Sequence, residues 1–266
     1  MREAFDLRVV PLADVVPHEE ADPRRVEKMV GRLEADGWLA NPPIVFAVDE
    51  RFVLLDGANR IAALDALGFQ QVIVQVASPT EMRLETWHHV LLGTTPDGLL
   101  DTLASVPDVR LDDDSESGSA AAPTMCSLRL ADGRTYVAHP AAGTHPFTAL
   151  NPFVGAYLDL AVVSRTTNPD LAAALSDHPD AAGLVAFPLL TTDEVFNAAH
   201  NGARLPAGIT RFVIAGRVLA VNAPLAPLRS DRTLDELNEW LAELVATRRA
   251  QGRIRHYPES VFVLDD

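Results

Sequence analysis

The segment Val53-Leu54-Leu55-Asp56-Gly57-Ala58-Asn59-Arg60-Ile61-Ala62-Ala63-Leu64 carries a β-type apolar run straight into a helical one through a single Asp-Gly step. A junction of this kind leaves the first backbone N–H groups of the helix unpaired at the positive end of its dipole. Such an end binds phosphate. Gly57 lets an anion come close to the backbone, and Arg60 on the first turn adds a charge-assisted donor. A plainer reading has Asp56 merely capping the helix and Arg60 paired with a surface carboxylate, and spacing alone leaves both open.

The text around this junction reads as a small α/β unit. Residues 7–11 are a short β run, and Asp22-Pro23 opens a helix with an N-cap carboxylate and proline at its first position. Val26, Met29, Val30 and Leu33 share one face of that helix until Gly37 stops it. Residues 43–48 and 52–55 form a hairpin about Asp49-Glu50-Arg51. The helix after Asp56-Gly57 aligns Ile61, Leu64 and Leu67, ends at Gly68, and is followed by a strand over Gln71–Val76.

Downstream, residues 99–106 have helical spacing, and 107–123 are acidic and poor in large apolar side chains, which predicts a mobile loop in or at the edge of the second domain, with an interdomain linker as the alternative. β runs follow at 125–130 and 135–138, helical stretches at 147–164 and 192–200, and strands at 183–187 and 211–215. A long helix over 232–250 and a closing strand over Ser260–Leu264 complete the chain. The expected organisation is an α/β protein with one domain over 1–100 and a second, mixed α/β domain over 101–266 that closes over the active site.

Composition narrows the function classes. The chain of 266 residues carries 22 Lys+Arg against 37 Asp+Glu, a net charge of −15 with a pI near 4.8. Residues 1–100 hold 9 basic and 16 acidic side chains and residues 101–266 hold 13 and 21, so the acidity is spread along the chain. That argues against nucleic acid as a partner, because cationic side chains must replace the counterions of a phosphate backbone. No apolar run is long enough to cross a membrane and no secretory leader opens the sequence, so a cytoplasmic location is expected. Cys126, the only cysteine, sits in a β-like run between Met125 and Leu128 and reads as a small core residue rather than a redox nucleophile.

Three other polar features stand out. Pro17-His18-Glu19-Glu20 lies in the loop before the first helix, where a carboxylate can act as a general base or hold a nucleotide-borne metal. His88-His89 suggests a metal pair, but neighbours in a strand face opposite sides. Arg248, Arg249, Arg253 and Arg255 cluster at the end of the long helix, where they complement its dipole.

The His18-Glu19 loop and the Gly57-Ala58-Asn59-Arg60 turn, in this order, resemble the ParB/sulfiredoxin fold with its Gly-x-x-Arg nucleotide turn. Within that superfamily the chain most resembles the free serine kinases, including siderophore-pathway members that make O-phospho-L-serine. Thr86-Trp87 and Pro206-Ala207-Gly208-Ile209-Thr210-Arg211 extend the likeness over nearly the whole sequence, and His256-Tyr257-Pro258-Glu259 is similar to the closing segment of the siderophore-pathway members.

The resemblance implies roles. Glu19 matches the catalytic carboxylate that takes the proton from the serine hydroxyl, with His18 beside it in the substrate site. Asp56 matches the aspartate that positions Mg²⁺ and the transferring phosphoryl group. Gly57, Ala58, Asn59 and Arg60 match the phosphate turn; Trp87, Thr210 and Arg211 match substrate-binding positions. Ala58, Asn59 and Phe212 stand where the archaeal ADP-dependent form has histidines, so that form's donor choice does not carry over; the expected donor is ATP or ADP, with ATP preferred. Elementary chemistry asks for the same parts: a base for a weakly nucleophilic hydroxyl, a clamp on the phosphoryl oxygens, and a cation for the carboxylate of free L-serine, for which Arg211 is the candidate. A sulfiredoxin-like reductase would need a cysteine in the turn, and none is there. A ParB-like nucleotide-binding regulator or DNA-associated nucleotidase is the alternative, and it would need a basic DNA-binding face.

Overall fold

A computed structural model describes residues 5–114 and 123–256. Apolar alternation sets the first strands: β1 (Leu7–Pro11), β2 (Val15–Pro17), the two-residue β3 (Trp38–Leu39), β4 (Ile44–Val48), β5 (Arg51–Asp56) and β6 (Gln71–Val76). Between β2 and β3 lies α1 (Pro23–Asp36), started by the Asp22 side chain on the N–H groups of Arg24 and Arg25 and stopped by Gly37 at φ 72°. Between β5 and β6 lies α2 (Ala58–Ala66). The hairpin expected at 43–55 is present, with Asp49 supplying the left-handed residue of its turn at φ 51°.

The middle of the chain supplies β7 (Met82–Thr86), β8 (His88–Leu92), α3 (Pro96–Ala104), β9 (Val109–Asp113), β10 (Cys126–Leu130) and β11 (Thr135–Pro140). After these come α4 (Pro146–Leu158), β12 (Val162–Thr166), α5 (Leu171–Asp177), β13 (Gly183–Ala186), α6 (Thr192–His200) and β14 (Thr210–Ile214), which pairs with β7. β15 (Ala223–Pro224) and α7 (Leu234–Ala250) follow.

Contacts group the chain differently from the division at residue 100. One unit takes in residues up to 17, 21–83 and the chain from 214 onward, and the other takes in 18–20 and 84–213. The first is built on a five-stranded sheet in the order β1-β6-β4-β5-β2, with β6 antiparallel to β1 and parallel to β4. Val72, Ile73 and Val74 of β6 are wholly buried, and they share a core with Leu54, Leu64, Leu237 and Leu241. Burial of this apolar surface is the main force holding the unit together.

The second unit is built on a six-stranded sheet in the order β12-β8-β13-β10-β11-β9, antiparallel throughout. Cys126 is fully buried in it, and burial pushes its thiol pKa up, as suits a core residue.

Two expectations fail here. Residues 162–164 belong to β12 rather than to a helix, because α4 ends at Leu158 and Val162–Thr166 pair with β8. The acidic stretch is not loop from its start: Val109–Asp113 pair with β11. The remainder of that stretch, 115–122, lies outside the described residues, as do the expected strand Ser260–Leu264 and Tyr257-Pro258-Glu259.

Candidate active site

Each α-helix among the described residues other than α2 has a side chain over its first amides: Asp22, Thr95, His145, Asp170, Thr191 and Thr233. α2 begins at Gly57, at φ 108° and ψ 29°, with no side chain capping it. Its opening N–H groups therefore keep their donor capacity for a ligand, and the plainer reading of Asp56 as a cap is ruled out.

Asp56 instead takes two guanidinium groups on its Oδ2, Arg60 at 2.9 Å and Arg217. Arg60 also donates through Nη1 to the carbonyls of Asn41 at 2.6 Å and Pro42 at 3.0 Å, and its side chain is only 18% exposed. Burial lowers its pKa, while the Asp56 charge raises it in opposition, and the group remains a cation. The left-handed backbone at Gly57 favours glycine, and a Cβ there would sit 3.1 Å from this guanidinium, a tight contact that the arginine would have to yield to. Ala58 is the first helical residue, and Asn59 Oδ1 accepts from the Asp22 N–H at 3.0 Å, tying the start of α1 to the start of α2. Asp56, Gly57, Ala58, Asn59 and Arg60 thus form one cluster in the first unit.

In the second unit, His18, Glu19, Thr210 and their neighbours form another. Residue 19 bridges to Leu205 as parallel backbone, with Leu205 N–H donating to His18 O at 2.9 Å and Glu20 N–H to Leu205 O at 2.8 Å. The buried His18 ring holds Thr210 Oγ1 at 2.7 Å through Nε2 and meets Phe212 edge-on, while Phe212 stacks on Phe196. Glu19 Oε2 accepts the Gly208 N–H at 3.3 Å. Gly208 is at φ 86°, and a Cβ there would run into the Arg165 guanidinium. Its carbonyl meets His89 Nε2 at 2.9 Å, and His89 Nδ1 meets Tyr157 Oη at 2.6 Å. A carbonyl only accepts, so His89 carries its proton on Nε2 and Tyr157 donates to Nδ1. Trp87 N–H donates to Ile209 O at 2.7 Å, and Arg211 lies 4.7 Å above the Trp87 ring while reaching Glu85 at 3.1 Å.

Sequence reasoning missed Arg217, Gly208 as the partner of Glu19, and the His89–Tyr157 pair behind it. Each is brought in by chain far away in sequence. Arg217 and Asp56 are 161 positions apart, and His89 and Gly208 are 119 apart. The glycine inside Pro206–Arg211 was the one available signal. His88-His89 is no metal pair: His88 Nδ1 accepts from Phe187 N–H at 3.1 Å, and the two rings serve different partners.

Among the described residues no group of three or more His, Cys, Asp or Glu is placed to hold a metal. Both arginine contacts of Asp56 fall on Oδ2, which leaves Oδ1 for a cation. One carboxylate oxygen fits a Mg²⁺ ion carried by phosphates and water, and does not make a resident metal site.

No family model matches the chain. It is 31% identical over 265 residues, 97% of each sequence, to an ATP-dependent L-serine kinase, SbnI, of Staphylococcus aureus. The solved structure of C-terminally truncated SbnI superposes with a TM-score of 0.72 at 25% identity, covering 91% of this chain and 97% of that one. A free serine kinase in complex with AMP has the same fold, with a TM-score of 0.72 at 14% identity over 84% of this chain and 93% of its own. With near-complete coverage and the mixed α/β fold in common, the chain belongs to the family of ATP-dependent L-serine kinases.

Proposed function

We propose that this protein transfers the γ-phosphoryl group of ATP to the hydroxyl of free L-serine, giving O-phospho-L-serine and ADP. The observation that carries the reading is the match to an L-serine kinase along 97% of both chains. The geometry of the two clusters supports the assignment of roles.

Glu19 is proposed as the general base. Its carboxylate is oriented by the Gly208 N–H, and it removes the serine proton as Oγ attacks the γ-phosphorus and the bond to the ADP oxygen breaks. The amides that open α2, over Gly57, Ala58, Asn59 and Arg60, are proposed to bind phosphate oxygens, since no side chain occupies them as a cap. Asp56 would hold Mg²⁺ through Oδ1, and the ion would neutralise charge on the phosphates. His18, Thr210, Trp87 and Arg211 are proposed to bind L-serine. Arg211 supplies the cation for its carboxylate, and Trp87 supplies the aromatic surface on which that arginine rests.

The test is chromatographic detection of phosphoserine from purified protein, ATP, Mg²⁺ and L-serine. Glu19→Gln is expected to lower kcat by about 100-fold or more while nucleotide affinity stays within a few-fold. Absence of phosphoserine with wild-type protein, or full turnover in Glu19→Gln, would overturn the assignment.

A further inference from the structure

Two arginines share the Asp56 carboxylate, and they are built for different tasks. Arg60 spends its Nη atoms on two backbone carbonyls and Asp56, and is the less exposed at 18%; it fastens the turn to the Asn41–Pro42 segment. Arg217 is 42% exposed and contacts Asp56 from the surface. Its backbone, by contrast, is held firmly. The side chain of Gln75, only 3% exposed on β6, uses both ends of its amide on the residues either side of Arg217: Nε2 donates to Gly216 O at 3.0 Å, and Oε1 accepts from Val218 N–H at 2.9 Å. Asn41 Oδ1 accepts from Ala220 N–H at 2.8 Å.

The same loop holds two non-glycine residues in the left-handed region, Ala220 at φ 53° and Asn222 at φ 40°. Backbone of this kind persists only where its surroundings over-determine it, and it concentrates at functional sites. A half-exposed guanidinium on a fixed loop, beside amides with no capping side chain, is an arrangement suited to phosphate recognition. Two guanidinium groups against one carboxylate also leave a local positive charge in a chain of net charge −15.

We propose that Arg217 is a phosphate-binding residue of the kinase, and that it exchanges its ion pair with Asp56 for the phosphate oxygens of the bound nucleotide. This rests on the reading of the Asp56–Arg60 turn as the nucleotide site. The exchange moves no covalent bond. It relieves Asp56 Oδ2 of one of its two guanidinium partners, while Arg60 keeps its own contact there. Gln75 is the positioning residue that holds the loop in register.

The experiment is calorimetric titration of ADP into the full-length protein in EDTA, so that neither turnover nor metal contributes. Arg217→Ala is compared with Arg32→Ala, which removes the same charge from an exposed position on α1. Arg217→Ala is expected to weaken ADP binding by about 10- to 100-fold, Arg217→Lys to fall between it and wild type, and Arg32→Ala to stay within about twofold of wild type. Equal affinity in Arg217→Ala and Arg32→Ala would overturn the proposal and leave the nucleotide reading standing. Failure of wild-type protein to bind ADP both in EDTA and with Mg²⁺ restored would overturn both.

Discussion

The His89 imidazole is 1% exposed, and its two nitrogens are committed to Tyr157 and Gly208 in a single tautomer. Burial holds its pKa down to about 4, with the nearby Arg165 charge acting in the same direction and the Gly208 hydrogen bond opposing. In the unfolded chain the same ring titrates near 6.5. Between those values the unfolded state binds a proton that the native state refuses, so stability falls as pH drops through this window and the loss is complete near pH 4. Urea melts should show about 2 kcal/mol less stability at pH 5 than at pH 7 from this group, and the pH dependence should shrink by that amount in His89→Gln. An unchanged dependence in the variant would refute it. Residues of this type were invisible in the sequence, where His89 reads as half of an adjacent pair. Asp56 and Gly57 could be named as candidates because their signal is local, a strand, a glycine and a helix within a few positions, whereas Glu19 became a candidate through the family resemblance.

At the scale of elements, α7 does more than pack Leu237 and Leu241 into the first unit's core. β1 is an edge strand of its sheet, and Asn238 on α7 meets the backbone of Val9 as another strand would, accepting its N–H at 2.9 Å and donating to its carbonyl at 2.9 Å. An open edge is a template for unwanted pairing, and this contact closes part of it. Asn238→Leu should leave both Val9 groups without partners and cost about 1–3 kcal/mol, measurable as a lower urea midpoint with an unchanged slope. An unaltered midpoint would show that water satisfies these groups. α7 itself was legible from its repeating leucines. Its docking on β1 was not, because Asn238 lies 229 positions from Val9. β12 was misread for a related reason: nothing between Leu158 and Val162 breaks a helical pattern, and pairing with β8 decides the conformation. In β9, the register that sets Leu111 opposite Ala138 outweighs the acidic composition around it.

For the molecule as a whole, a net charge of −15 is a repulsive load that the fold carries everywhere, since both halves of the sequence are acidic. Screening should relieve it. Raising NaCl from about 10 to about 150 mM is expected to stabilise the protein by about 1 kcal/mol, read as a rise of about 2–4 °C in Tm. A fall in Tm would mean that local ion pairs such as those of Asp56 dominate instead. On the reading proposed above, the arginines near α2 would supply a local attraction for an anionic nucleotide against an unfavourable general field.

The interleaving of the two units along the chain has a consequence for biosynthesis. The strands β1 to β6 leave the ribosome early, yet the helix that covers β1 is the last described element of the sequence. The continuous stretch 84–213 can complete its antiparallel sheet while the first sheet still lacks α7. During that interval β1 must wait with its edge unprotected, an aggregation-prone state of the kind that chaperones attend. A fragment ending near residue 100 would be held in that state permanently, so the first unit has to be produced with the distant α7 rather than as a piece that stops before it.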